Sequence, residues 1–249
     1  MRRTANPALN ANTFAGLERS YDGTETMTIG GTVNKTGVLL LLCLLTAAWV
    51  WQKFFATHDP VTVAPYLITG ALAGFVVAIV TVFKKKWAAV TAPLYALLEG
   101  LVLGGLSAIF EAGYPGIVIQ AVGLTFGTLF ALLLAYKSGL IKATENFKLG
   151  VVAATGGIAL VYLATMVLGF FKVSVPYIHG SGTIGILFSL FVVVIAALNL
   201  VLDFDFIENG AASGAPKYME WYGAFGLLVT LIWLYLEILR LLAKVRSRR

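Results

Sequence analysis

The sequence has few charged residues and a single cysteine, and both facts restrict the class of protein to which it can belong. Charged side chains make up 12% of the 249 residues, whereas 59% are hydrophobic and the mean hydropathy is +0.88. Soluble globular domains carry about twice that share of charge. The lone Cys43 lies inside an apolar run, which excludes a disulfide framework and a thiol metal cluster. The composition therefore indicates a membrane protein.

Long apolar runs recur along the chain, and a run of about 18 such residues is enough to cross a bilayer core. We find seven candidate spans, which leave no room for a separate soluble domain. They cover approximately residues 37–56, 62–83, 87–110, 114–136, 148–171, 178–207 and 222–243. The sequence therefore predicts an all-α integral membrane protein with seven transmembrane helices.

The polar residues outside these spans divide the chain into three parts. Residues 1–36 are rich in Thr, Asn and Gly, and we expect a flexible N-terminal cytoplasmic tail. Residues 37–243 form the transmembrane domain, and residues 244–249 form a basic C-terminal tail. The net charge of +6 lies in tails and connections, where it sets membrane orientation, so it does not indicate a nucleic-acid partner.

The distribution of Lys and Arg predicts that the N-terminus is cytoplasmic. The connections on that side carry most of the basic residues, and the opposite loops carry only Lys53 and Lys172. The basic residues from Arg240 onward would then lie outside if the seventh segment crosses fully. Seven spans with an outer basic tail and six spans with a re-entrant last segment both remain open, and the length of the seventh run favours seven.

Three pairs of glycines have the GxxxG spacing that lets helices approach closely. They are Gly70 and Gly74, Gly100 and Gly104, and Gly123 and Gly127. Because proteins with many spans use such motifs internally, we expect a tightly packed bundle. Self-association of two chains through one of these faces is the alternative.

The sixth span contains an ionisable group on an otherwise apolar helix. Ser189, Asn199 and Asp203 share one face by helical spacing, and a carboxylate within a span costs a few kcal/mol unless it faces a cavity or a polar partner. Asp203 is therefore a candidate functional residue, unless it lies at the headgroup boundary. Asp205 points to nearly the opposite side, and we expect it to reach toward the headgroups.

Two further carboxylates lie in spans. Glu237, in the seventh span, belongs to a polar face that also contains Arg240, and the two side chains are three residues apart and could neutralise each other. Glu99 lies near the middle of the third span, where it either hydrogen-bonds a neighbouring helix or takes part in ion passage.

If Asp203 and Glu237 converge, they form a specific kind of site. Two carboxylates in a low-dielectric interior would share a proton and titrate as a unit. Their oxygens would also suit a hard cation such as Ca²⁺, whose affinity rises as protons leave. The two residues meet only if the seventh span begins well outside the bilayer or the sixth continues past it.

Four segments resemble a known family. They are GGTVNKTGVLLLL at Gly30 to Leu42, ALLEGLVLGGLS at Ala96 to Ser107, ALNLVLDFDFIE at Ala197 to Glu208 and LIWLYLEILRLL at Leu231 to Leu242. Together they are similar to the Bax inhibitor-1/YccA family, the transmembrane BAX-inhibitor-motif family, and particularly to its bacterial, actinobacterial-looking branch. The resemblance covers nearly the whole chain, and the last two segments are the most specific.

The resemblance implies a seven-helix bundle with the last helix central, and a proton-sensitive calcium leak in a bacterial plasma membrane. The acidic pair of the family corresponds to Asp203 and Glu237, which implies a possible Ca²⁺ site there. Asn199, Glu99, Arg240 and Asp205 would be supporting polar groups. This chain departs from the family pattern because its second acid is Glu instead of Asp and its connection between the two acids is longer.

Two other function classes follow from the sequence. The protein could regulate a membrane protease or quality-control complex through its N-terminal tail, as some bacterial relatives of the family suggest. An intramembrane enzyme is not expected, because no span has a Ser or Cys nucleophile with a His base, or a metal-ligand cluster. We expect no cofactor other than Ca²⁺ as a transported or bound ion, and the lipid bilayer as the main partner.

Overall fold

The computed structural model describes residues 26–171 and 180–248. Within these ranges the chain is helical, with one 3₁₀ turn at Lys85–Trp87 and one isolated β-bridge between Thr26 and Pro216. The seven helices are α1 (Ile29–Thr57), α2 (Pro60–Phe83), α3 (Ala88–Gly113), α4 (Ile117–Lys137), α5 (Glu145–Phe170), α6 (Thr183–Ala212) and α7 (Met219–Ser247).

All seven helices are long and apolar enough to cross a membrane. The prediction of an all-α protein with seven spans is therefore confirmed. Helix α7 is a single helix of 29 residues and is the most buried of the seven, with 67% of its most apolar stretch enclosed. This burial agrees with the expectation that the last helix is the innermost.

Two helices extend into the expected tails. Helix α1 begins at Ile29, before the expected Gly37, because Thr28 caps it by accepting a hydrogen bond from the Gly31 amide at 3.0 Å. The last eight residues of the expected tail are thus helical, and residues 1–25 lie outside the described residues. Helix α7 continues to Ser247, into the expected C-terminal tail.

The helices divide into two compact units. The N-terminal unit contains the described residues up to Pro115 together with Phe206–Val229, and the C-terminal unit contains those of Gly116–Asp205 and Thr230–Arg249. Helices α1, α2 and α3 belong to the first, and α4 and α5 to the second. Helices α6 and α7 are each divided, with one segment in each unit.

Glycines allow the helices of the N-terminal unit to touch backbone to backbone. A Cβ atom on Gly104 would overlap the Ala47 carbonyl of α1, and one on Gly100 would overlap the Cys43 carbonyl. On α2, a Cβ on Gly70 would come within 2.7 Å of the Leu98 carbonyl oxygen of α3. Two of the three GxxxG pairs are therefore used inside the unit, as we expected.

The third GxxxG pair does not bring two helix backbones together among the described residues. A Cβ added to Gly123 or Gly127 of α4 would meet no atom within 4 Å, and both glycines are exposed. The C-terminal unit instead packs through a small apolar core of Ile158, Val192 and Ile195, with Trp233 of α7 against it. In this unit helices α5, α6 and α7 meet through side chains.

Candidate functional site

Helix α5 carries polar side chains on the face that meets α6 and α7. Lys148, Thr155 and Tyr162 are spaced by seven residues, so they lie above one another on one side of the helix. Each contacts a polar side chain of α6 or α7 in the C-terminal unit. We call these three residues and their partners Asp205, Asn199 and Glu237 the polar column.

The middle level of the polar column joins α5 to α6. The Asn199 side-chain amide donates to Thr155 Oγ1 at 2.9 Å and to the carbonyl oxygen of Ile195 at 2.8 Å. Asp203 lies one turn further along the same face of α6 and is fully buried. The structure therefore places Asp203 in the protein interior and not at an exposed headgroup position.

The lower level of the polar column, at the N-terminal end of α5, is an ion pair. The Lys148 ammonium is 2.8 Å from Asp205 Oδ2 and 3.7 Å from Glu145 Oε1. Lys148 is buried, whereas Asp205 is partly exposed. Asp205 thus contacts a cation of α5 instead of extending toward headgroups, because α5 places Lys148 on the side of α6 to which Asp205 points.

The upper level of the polar column, toward the C-terminal end of α5, surrounds Glu237. Its Oε1 atom accepts hydrogen bonds from Arg240 at 2.7 Å and from the Tyr162 hydroxyl at 3.0 Å, and Arg240 also lies over the Tyr162 ring. The expected contact between Glu237 and Arg240 is therefore present. Glu237 Oε2 is buried and has no hydrogen-bond partner among the described residues.

One turn beyond Arg240, a second cation enters the protein interior. The Lys244 ammonium donates to Ser189 Oγ at 2.8 Å and to the Gly185 carbonyl oxygen at 3.2 Å. Ser189, expected on the polar face of α6, therefore pairs with α7. Glu237, Arg240 and Lys244 thus place one carboxylate and two cations within about two turns of α7.

The contacts to α5 place Asp203 and Glu237 at different levels. Asn199 contacts Thr155, and Asp203 follows Asn199 by one turn in the direction of Lys148. Glu237 contacts Tyr162, seven residues from Thr155 in the opposite direction. About eleven helical residues, on the order of 16 Å, therefore separate the two carboxylates along α5. At this separation the structure does not bring the two carboxylates into direct contact.

Glu99 lies in the N-terminal unit and has a local partner. The Tyr95 hydroxyl, one turn earlier on α3, donates a hydrogen bond to it. Gly74 of α2 faces the carboxylate, since a Cβ there would lie 3.3 Å from Glu99 Oε1. This hydrogen bond lies within α3, so the expected bond from Glu99 to a neighbouring helix stays a prediction.

Sequence reasoning missed a buried carboxylate at the start of α7. Glu220 is fully buried and accepts hydrogen bonds from the Thr28 amide at 2.9 Å and the Thr28 hydroxyl at 2.8 Å. Lys35 forms an ion pair with its Oε2 atom, and Lys217 lies 3.2 Å from Oε1. We call Glu220, Thr28, Lys35 and Lys217 the Glu220 cluster. Together with the bond from the Met27 amide to the Ala215 carbonyl at 2.7 Å, it attaches the start of α1 to the start of α7.

The sequence contained part of the signal for these missed residues. The spacing of seven between Lys148, Thr155 and Tyr162 is visible in the sequence and marks one helix face. For Glu220 the only local signal was Lys217, three residues earlier. Its contacts with Thr28 and Lys35 join positions about 190 residues apart, and no periodicity reveals such contacts.

Replacing Thr155 with valine tests the middle level of the polar column. We expect a loss of unfolding free energy of about 0.6 kcal/mol, and at most about 1.7, as for interhelical hydrogen bonds in other membrane proteins. Unfolding by sodium dodecyl sulfate in mixed micelles, followed by circular dichroism, measures the change. Thr165→Val is the matched control, because within the described part of the chain the Thr165 hydroxyl bonds to its own helix alone, at the Tyr162 carbonyl. Equal losses in the two variants would contradict the interhelical role.

The described residues contain no group of three or more His, Cys, Asp or Glu side chains close enough to hold a metal ion. Any cation at Asp203 or Glu237 would have one carboxylate at each level, with the remaining ligands supplied by hydroxyl, amide or carbonyl oxygens.

The fold and this site define a class: a multi-span membrane protein with buried carboxylates distributed along its helices. The chain belongs to the Bax inhibitor 1 like family, whose model matches residues 6–247. The family predicted from the four sequence segments is thus confirmed. Comparisons with curated proteins and with solved structures gave no match.

Proposed function

We propose that this protein is a pH-sensitive cation leak, with Ca²⁺ as the ion, and that Asp203 and Glu237 control passage through their protonation. The observation that carries this proposal is the polar column, which gives the apolar C-terminal unit oxygen ligands at successive levels. A cation needs such ligands to replace its water shell. Membership in the Bax inhibitor 1 like family supports the same function.

The two carboxylates act at separate levels in this proposal. Asp203 offers a buried acid near Asn199 and Thr155, and Glu237 offers one next to Arg240 and Tyr162. A carboxylate must lose its proton to bind a cation, so affinity for Ca²⁺ rises with pH. Arg240 competes with the cation for Glu237, which keeps the leak slow.

Calcium flux into liposomes that contain the purified protein and an enclosed calcium dye tests this function. We expect flux that rises from acidic to neutral pH, and no flux above that of empty liposomes for the double variant Asp203→Asn with Glu237→Gln. Glu145→Gln is the matched control, because this carboxylate is mostly exposed and its replacement should leave flux unchanged. Full flux through the double variant, or flux independent of pH, would refute the mechanism.

A second candidate function is a regulator that binds a membrane protease or quality-control complex through the N-terminal tail. It is favoured by the attachment of Met27 and Thr28 to the α6 to α7 connection and to α7, because this attachment fixes the point at which residues 1–25 join the described part of the chain. Deleting residues 1–25 keeps this attachment. A leak would still conduct calcium after that deletion, whereas a tail-dependent regulator would lose its partner in a co-purification experiment.

The location that fits both functions is a bacterial plasma membrane with a cytoplasmic N-terminus. The basic connections after α2 and α4 support this orientation, since cytoplasmic loops carry an excess of Lys and Arg. Neither function requires a catalytic step or a bound cofactor.

A further inference from the structure

Three consecutive lysines lie between α2 and α3 and form a charged surface in the N-terminal unit. We call Lys84, Lys85 and Lys86 the lysine cluster. Lys84 and Lys86 are exposed and make no salt bridge with any described residue. Lys85 lies over the ring of Tyr222, 6.0 Å from its centroid, so the cluster sits beside the first turn of α7.

The surroundings of the lysine cluster add positive charge. Lys35 and Lys217, which contact Glu220, lie at the same end of this unit, and Lys35 also lies over the ring of Trp221. Among the described residues, this end of the unit contains five lysines and two carboxylates, Glu208 and Glu220. Because Glu220 is buried and already bound by two lysines, it does not neutralise the lysine cluster.

Exposed apolar side chains flank the lysine cluster on both sides. Phe83 is 79% exposed at the end of α2, and Trp87 is 60% exposed at the start of α3. Aromatic residues at span ends occupy the level of the lipid headgroups. A partner that fits this surface must therefore present an anionic group next to apolar chains.

We propose that the lysine cluster binds the headgroup of an anionic phospholipid, with the acyl chains against Phe83 and Trp87. Basic clusters next to span ends attract anionic headgroups, and each lysine near the surface strengthens binding by a factor of about five. The contact of Lys85 with Tyr222 joins this lipid to the first turn of α7. The bound lipid thus stabilises the N-terminal unit where α2, α3 and α7 meet.

Lipid retention by the purified full-length protein in a neutral detergent tests the proposal. Native mass spectrometry would count bound phosphatidylglycerol, with phosphatidylcholine as the zwitterionic comparison, and the temperature at which Cys43 becomes reactive toward a maleimide dye would report stability. We expect phosphatidylglycerol alone to be retained and to raise that temperature. Replacing all three lysines with glutamine should weaken its binding about 100-fold, the product of three such factors.

Two control variants separate a specific site from general surface charge. Replacing the three lysines with arginine keeps the charge and the membrane orientation, and we expect it to retain the lipid. Lys137→Gln with Lys142→Gln removes one lysine from the end of α4 and one from the connection after it, and should also leave retention unchanged. Equal retention by the triple glutamine variant and the wild type would overturn the proposal. An equal rise in stability with inorganic phosphate would also overturn it, because the ligand would then not be a lipid.

Discussion

Replacing Glu220 with glutamine will lower the stability of the folded protein by about 3–5 kcal/mol, the range measured when one partner of a buried ion pair is removed. Glu220 is fully buried, and Lys35 depends on it for a counter-charge. Glutamine keeps the acceptor for Thr28 but leaves the ammonium of Lys35 without its carboxylate. Such a loss is a large fraction of the total stability of a folded domain, which is about 5–15 kcal/mol.

The single cysteine allows the stability lost in Glu220→Gln to be measured directly. Cys43 is buried in α1, so its reaction with a maleimide dye during heating reports when α1 leaves the bundle. Lys217→Gln is the matched control, because Lys217 is half exposed and exposed pairs contribute at most about 1 kcal/mol. If Glu220→Gln reacts at the same temperature as the wild type, the Glu220 cluster does not stabilise the fold.

The same cluster can be disturbed without changing a charge. A Cβ atom on Gly31 would overlap the Glu220 carboxylate, whereas one on Gly30 would meet nothing within 4 Å. Gly31→Ala should therefore lower the same transition temperature, and Gly30→Ala should not. If Gly31→Ala and Glu220→Gln both lower the transition temperature and Gly30→Ala does not, the position of the Glu220 carboxylate is the cause of the lost stability.

Replacing Gly104 with alanine is expected to have the second large effect on stability. A Cβ at this position would overlap the carbonyl oxygen of Ala47 and lie 2.7 Å from its Cα, and these are backbone atoms that cannot rotate away. Overpacking of this kind costs about 1–3 kcal/mol, and we expect the upper part of this range because α1 and α3 must move apart as whole helices.

Gly123→Ala is the matched control for this prediction. Gly123 is also in a transmembrane helix with GxxxG spacing, but a Cβ there meets no atom within 4 Å. Unfolding by sodium dodecyl sulfate should therefore show a clear loss for Gly104→Ala and no loss for Gly123→Ala. Equal behaviour of the two variants would mean that close contact between α1 and α3 is not required.

Much of the fold could be predicted from the sequence because it depends on local composition. Spans are recognised by length and hydropathy, and all seven were found, with errors of several residues at helix ends such as Ile29. The pairing of Glu237 with Arg240 could also be predicted, since a spacing of three residues on a helix brings side chains together whatever the surrounding fold.

The arrangement of the candidate site was harder to predict, because it depends on contacts between helices. For Asp203 the sequence left open an interior position and one at the headgroup boundary. Its candidate partner Glu237 lies about 16 Å away along α5, because the register between α5, α6 and α7 sets the level of each residue. Lys148, which the sequence placed among the basic residues at a span end, turned out to be a buried partner of Asp205. The position of a cation along its own helix does not reveal which neighbouring helix it faces.

The sequence by itself indicated seven helices long and apolar enough to span a membrane, the resemblance to the family, and which residues share a helix face. Helical periodicity and the cost of placing polar groups in lipid are sufficient for these conclusions. Only the tertiary structure decided that Glu220 is bound by Thr28 and Lys35, and that the two predicted acids lie at separate levels. Those facts depend on the packing of helices distant in sequence, which local spacing does not specify.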